Sequence, residues 1–358
     1  MRPLEFLYYI GYSIDKHFKL KRQKSLPYPV ISIGNITTGG TGKTPLTMAI
    51  AEEAKERGYL PIILTRGYRG KGKEPCFVLA NRQEGMKFYE FIDINIPLSS
   101  LYICASTIDA GDEPLMMSER LRDVPIIKCK DRFKGGMYAL EKLNTPKPYL
   151  FILDDGFQHW GLFRDMDIVL IDGIKLFGNN RLLPLGPLRE PIKELNRANI
   201  FLITMAQFID KSEIQNRLKE INPKAPIYFS EHKPLIIRDI ARNEFPMNEL
   251  RDKRVYAFCG VANPESFRET LLSAGCRLAG FRIYRDHYRY SLRDILNLHK
   301  EARLLDCNYL ITTEKDMVKI RELESINSNI IILSIEIGLD IDPSFFRNVF
   351  EHINKIRI

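Results

Sequence analysis

The sequence predicts an α/β protein, with a mainly parallel sheet carrying helices on both faces, followed by a second, smaller α/β unit. Short β-rich runs alternate with helical stretches along most of the chain. Several of those runs, such as residues 149–153 (YLFIL) and 167–171 (DIVLI), are continuously apolar and bounded by turns. Strands of that kind are buried on both faces, as in parallel sheets with crossover helices. The chain has 358 residues, and at roughly 150 residues per domain two units are expected.

In chain order, the first 25 residues place Leu4, Leu7, Tyr8, Gly11, Ile14 and Phe18 at helical spacing, with Phe6 and Ile10 widening the stripe. Lys16, Lys19, Lys21, Arg22 and Lys24 follow as a basic cluster. Such a helix suits the interface of an anionic bilayer, and it equally suits packing its stripe on a domain core. It does not read as a secretory signal, because the apolar run is short and no small-residue cleavage site follows. Strands are then expected at 28–34, 60–65, 101–104, 125–128, 149–153, 167–171 and 199–204, with a helix over 45–58 ended by Gly58. Residues 227–229 and 235–237 read as short connecting strands. A second series follows at 255–259, 278–284, 309–313 and 330–335. The expected division is an N-terminal helix (1–25), a larger unit (26–228), a connector (229–249) and a smaller unit (250–358).

Hydrophobic residues make up 45% of the chain and charged ones 27%, which excludes a disordered protein. Lys and Arg outnumber Asp and Glu by 53 to 45, a net charge of +8 that fits an acidic substrate or an anionic surface. No recognition-helix, RNA-binding-sheet or zinc pattern is present, so nucleic acid is not an expected partner. The six cysteines are scattered with no C-x-x-C pair, which argues against a zinc site or disulfide framework and for a reducing cytoplasm. No apolar run approaches the ~18 residues that a membrane span needs.

The sharpest local signal is residues 37–44, Thr37, Thr38, Gly39, Gly40, Thr41, Gly42, Lys43 and Thr44, between a strand and a helix. Glycines let backbone N–H groups curl round phosphate oxygens, and the helix N-terminus adds its dipole. Lys43 is placed to reach the β- and γ-phosphates and Thr44 to ligate Mg²⁺. The strict G-x-x-x-x-G-K-[ST] pattern wants glycine where Thr37 stands. The large unit therefore reads as P-loop NTPase-like. Strand 149–153 runs into Asp154 and Asp155, where a carboxylate can hold Mg²⁺ opposite the loop, or one of the pair can cap the next turn. A GTP-reading [N/T]-K-x-D motif is not supported, since its nearest match, Thr313-Glu314-Lys315-Asp316, has the wrong spacing. Lys315 and Asp316 remain as adenine-side candidates.

Polar clusters on predicted loops complete the set. GNITTGGTGKTP (34–45), TRGYRG, AGDEP, KDR, LDDGFQH, GPLREP with a following LNRA, and RDHYRY occur in this order. Over about residues 31–316 the chain resembles the tetraacyldisaccharide 4′-kinases of lipid A biosynthesis, whose phosphate loop also departs from the strict pattern at its first glycine. The resemblance implies transfer of the γ-phosphate of ATP, with Mg²⁺, to the 4′-hydroxyl of an acylated glucosamine disaccharide 1-phosphate lipid, giving lipid IVA. It implies Asp112 as the base that accepts the hydroxyl proton, His287 as its partner from the second unit, and Lys43 and Arg132 as charge-neutralising groups. Arg66 and Tyr68 fall on the acceptor side, with Gln158, His159 and Arg189 as further substrate contacts. Thr44, Asp154, Asp155 and Glu190 are the Mg²⁺ candidates. A lipid acceptor implies peripheral attachment at the cytoplasmic face of the inner membrane, and a monomer is the default expectation. The competing reading is a P-loop ATPase switch acting on a protein partner, which leaves AGDEP, RGY and RDHYRY unexplained.

Overall fold

A computed structural model describes residues 2–80, 101–121, 123–323 and 331–356. The strands are β1 (Val30–Gly34), β2 (Leu60–Thr65), β3 (Cys76–Val78), β4 (Ile103–Cys104), β5 (Ile126–Lys128), β6 (Tyr149–Asp154) and β7 (Met166–Asp172). They continue with β8 (Ile200–Thr204), β9 (Ile227–Asp239), β10 (Glu244–Phe245), β11 (Arg254–Cys259), β12 (Arg277–Ile283), β13 (Tyr309–Thr313) and β14 (Ile332–Ile341). Among the described residues these form one sheet in the order β12-β11-β13-β14-β9-β8-β7-β1-β6-β2-β5-β3-β4, with β10 beside β9. Antiparallel pairing occurs where β3 meets β5 and where β9 meets β14 and β10, and the other pairs are parallel. The α/β architecture with a mainly parallel sheet is thus as the apolar runs predict. Ile330, which opened the expected strand 330–335, lies outside the described residues.

Every residue of β1, β2, β6 and β7 is buried, which accounts for their unbroken hydrophobicity. β1 lies between β6 and β7 and β2 between β6 and β5, all parallel, so the carboxyl ends of these strands open at one edge. That edge is where open α/β sheets bind ligands.

Two expectations need correction. Residues 227–229 and 235–237 belong to one strand of 13 residues, β9, which pairs with β8 through Phe229 and with β14 from Ser230 onward. Pro234 obscured it, since proline breaks ladders. The register shift opposite Glu336 and Ile337 accommodates it by leaving Leu235 out of the pairing. The cysteines are also not all free, because Cys76 and Cys104 are disulfide-bonded, with Cα atoms 6.2 Å apart. Pairing of β3 with β4 brings them together across 28 residues, and β3 is too short for its period to be read from sequence.

The helix Pro343–Ile356 sets Phe345, Val349, Phe350 and Ile353 into the same core as Leu46, Ile50 and Ala54 of the helix Lys43–Glu56. Tyr59 donates to Asn354 (2.6 Å) at its end. At the other end of the chain, the helix Pro3–Lys21 packs through Tyr8 and Tyr9, which rest on the core around Phe157 and Leu195. Tyr8 donates to the Arg189 carbonyl (2.7 Å), Tyr12 to Glu190 (3.1 Å) and Lys16 to Glu194 (2.6 Å). The stripe Leu4, Leu7, Ile14 and Phe18 faces outward, with Leu7 65% and Phe18 57% exposed. No described helix is long and apolar enough to cross a membrane.

Candidate active site

The phosphate loop leaves β1 through Asn35 and turns at Gly42, whose φ of +83° is open to glycine at little cost. His232 of β9 stands 3.3 Å from where a Gly42 Cβ would lie, and neither of its buried ring nitrogens has a hydrogen-bond partner among the described residues. The GPLREP segment runs along the loop, with Thr38 N–H donating to the Pro187 carbonyl (2.8 Å) and Arg189 N–H to that of Ile36 (2.7 Å). Lys43 opens the following helix, and its ammonium lies 3.3 Å from Asn35 Oδ1 and 3.5 Å from Asp155. Thr44 sits in the first helical turn with Gly39, Gly40 and Thr41 before it, and the hydroxyl of buried Thr41 has no partner.

β6 delivers the two aspartates into different surroundings. Asp154 is enclosed, near the hydroxyls of Thr65 (3.2 Å) and Thr47 (3.5 Å). Burial, reinforced by the charges of Glu113 and Asp155, pushes its carboxyl up to about 7 against the pull of Lys43 and Arg132. Asp155 adopts φ 51° and accepts from Arg189 at 2.9 and 3.0 Å. Burial works against its ionisation, but Lys43, Arg189 and Arg132 prevail and hold it at about 2. Arg132, the first residue of the helix Arg132–Lys142, is buried with its Nε unpartnered and feels both aspartates.

Gln158 and Glu190 lie behind this pair. Gln158 donates to the Asn35 carbonyl (2.8 Å) and to Glu190 (2.5 Å). Glu190 is fully enclosed, and its carboxylate also takes Arg197 (2.9 Å) and Tyr12. Those commitments tie the N-terminal helix to the loop. Arg189 likewise is occupied with Asp155. Burial, aided by Arg132 and Arg164, drives the His159 pKa down to about 3, so its ring is neutral at physiological pH.

The third part of the site joins distant segments. Asp112 begins the helix Asp112–Arg120, and its oxygens lie 2.7 and 3.0 Å from Nδ1 of His287, 175 residues away. Burial alone would raise this carboxyl, but the His287 hydrogen bond and the charges of Lys315 and Lys319 hold it below its ordinary value. The RGYRG strap lies across the start of this helix. At Gly111 (φ +93°) a Cβ would come within 2.7 Å of the Tyr68 carbonyl, so only glycine permits that approach. Lys128, fully buried, fastens the strap by donating to the carbonyls of Gly72 (2.9 Å) and Asp109 (2.7 Å). Tyr68, 55% exposed, sets its ring 5.3 Å from that of His287, and Arg66 is exposed beside it.

The structure thus brings the phosphate loop, the aspartate pair, Arg132, Asp112 and His287 to one region, with Arg66 and Tyr68 at its mouth. Sequence reasoning missed Asn35, Glu113, Lys128 and Lys319, and it did not foresee that Lys315 lies by His287. Each is an ordinary lysine, asparagine or glutamate until the fold supplies its partner.

Comparison with known proteins gives the family. A family model described as Tetraacyldisaccharide-1-P 4′-kinase matches residues 1–354. A tetraacyldisaccharide 4′-kinase from Syntrophus aciditrophicus is 35% identical over 365 residues, covering 98% of this chain and 92% of that protein. One from Desulfotalea psychrophila is 39% identical over 304 residues, covering 84% and 81%. The crystal structure of an "apo" form LpxK from Aquifex aeolicus in complex with ATP superposes with a TM-score of 0.70 at 28% identity, covering 98% of both chains.

Proposed function

Since the chain belongs to the Tetraacyldisaccharide-1-P 4′-kinase family, we propose that it transfers the γ-phosphate of ATP to the 4′-hydroxyl of tetraacyldisaccharide 1-phosphate, giving lipid IVA. The observation that carries the mechanism is the pairing of Asp112 with His287 beside the phosphate loop's own acidic partners. Asp112 accepts the hydroxyl proton as the sugar oxygen attacks the γ-phosphorus. The bond to the bridging oxygen breaks, and its electron pair leaves with ADP. Ionised at neutral pH, Asp112 is ready for that proton, and His287 holds its carboxylate in line. Lys43 and Arg132 offset charge on the transferring group. Arg66 offers a guanidinium to a phosphate and Tyr68 a phenol to the sugar, both at the exposed mouth.

The donors around the loop suit a hard cation: the Thr44 hydroxyl, Asp155, and an Asp154 carboxyl whose burial and acidic neighbours, Glu113 and Asp155, disfavour its charge until a cation offsets them. These residues would hold Mg²⁺, which when bound supplies charge neutralisation at the β- and γ-phosphates. Asp112 and His287 come from one chain, so a monomer suffices. Transfer of labelled γ-phosphate from ATP to the disaccharide lipid in detergent micelles is expected with Mg²⁺ and lost on chelation. ATP cleaved to free phosphate without labelled lipid would overturn the kinase reading.

The outward stripe of the N-terminal helix supports peripheral attachment at the cytoplasmic face of the inner membrane, where a four-chain acceptor resides. Its lysines and arginines would meet anionic headgroups. Leu7→Glu combined with Phe18→Glu leaves Tyr8, Tyr12 and Lys16 in place. Flotation with anionic vesicles is expected to fall at least about tenfold, since each buried apolar side chain contributes roughly 1.5–3 kcal/mol. Undiminished flotation would remove the stripe from membrane binding.

A further inference from the structure

The motif Thr313-Glu314-Lys315-Asp316 is unused by the mechanism so far, yet it stands at its centre. Lys315 is the second residue of the helix Glu314–Ile320. Its Nζ lies 3.3 Å from Nε2 of His287, on the side of the ring away from Asp112. Glu113 (3.0 Å) and Asp286 (3.6 Å) hold the same ammonium from two directions. One carboxylate fixes both partners. Asp316 accepts from Gly260 N–H (2.8 Å), the Thr313 hydroxyl (2.8 Å) and Lys319 (2.6 Å), while the Gly260 carbonyl accepts from His287 N–H (3.1 Å). The ring, at φ 58°, and the lysine helix therefore hang from a single backbone residue.

We infer that Lys315 is a positioning residue for phosphoryl transfer, fixing His287 as a neutral imidazole with its proton on Nδ1. An ammonium carries only donors, so the Nε2 facing it must present its lone pair. The ring proton then sits on Nδ1 and is donated to Asp112. A second proton on the ring would put two cations side by side, so His287 orients Asp112 and does not take over the proton that Asp112 receives. The groups facing the ring are Asp112, Asp286 from its own loop, Lys315 and the Tyr68 ring, with Glu113 holding Lys315 and Lys319 3.9 Å from Asp112 behind them. This inference rests on the reading of Asp112 as base, but its test does not.

The test is ¹⁵N NMR of the His287 ring in the full-length protein, wild type and variants, with kcat and KM followed against pH. Wild type is expected to show the neutral Nδ1–H form at pH 7. In Lys315→Met the ring should gain a proton or shift to Nε2–H. The acid limb of the kcat profile should then move toward neutrality by about one pH unit, roughly tenfold in proton affinity, with KM for ATP unchanged. Lys315→Arg keeps a donor cation and should restore the wild-type tautomer. A wild-type ring that is cationic or Nε2–H at pH 7 would overturn the inference, even if Lys315→Met did not fold. So would an unchanged ring and pH profile in Lys315→Met. Should Asp112 prove dispensable for turnover, the mechanism fails but the tautomer result stands independently.

Discussion

Asp112→Asn is expected to fold normally and to turn over about 10²–10⁴ times more slowly, the range a positioned general base contributes. The amide is isosteric and its oxygen can still accept from the Nδ1–H of His287, so the hydrogen bond that spans 175 residues survives. What is lost is the ability to take a proton. Labelled-phosphate transfer reports the rate, and thermal unfolding in parallel reports the fold. The sign of a smaller stability effect also follows. The folded carboxyl lies below its ordinary 3.8, so its contribution is present above that pH and is lost as the pH falls through the folded value. The stability gap between wild type and the variant should therefore close in acid. Turnover close to wild type would remove Asp112 from the base role.

Glu190→Ala should have the largest effect on stability. The carboxylate is fully enclosed and takes Arg197, Gln158 and Tyr12 together. Removing it leaves the Arg197 guanidinium beside Phe157 and Trp160 without this partner, with Glu194 remaining at 3.1 Å. Breaking a buried ion pair from one side typically costs about 3–5 kcal/mol. Denaturant unfolding measures this, and Glu190→Gln should lose less because it keeps an acceptor for Tyr12. An alanine variant of unchanged stability but weakened Mg²⁺ dependence would instead return Glu190 to the metal site.

Local chemistry was the legible part of this site. The phosphate loop and Asp154-Asp155 announce themselves because strand, turn and functional residue are contiguous, and the apolar runs place them at one sheet edge. Nothing in residue spacing pairs Asp112 with His287, and that expectation came from family resemblance. Lys315 was offered only as an adenine-side candidate, and the ring it lies beside is 28 residues earlier in the chain. Glu190 was read as a Mg²⁺ candidate, and an acidic residue in a conspicuous loop gives no hint that an arginine, a glutamine and a tyrosine will also meet it. β9 was split by Pro234, whose tolerance depends on a register shift against β14 that leaves the neighbouring Leu235 out of the pairing. In each case the missing information was a long-range partner.

The placement of the helix Pro343–Ile356 bears on how the protein is made. Phe345, Val349, Phe350 and Ile353 complete a core whose other members include Leu46, Ile50 and Ala54, near the opposite end of the chain. On the ribosome, N-terminal units ordinarily fold as they emerge. Here the nucleotide-binding half must wait with an open hydrophobic face until residues 343–356 have been synthesised. The phosphate-loop helix rests on that same late-arriving surface, so the nascent chain has no finished nucleotide site before the helix Pro343–Ile356 docks.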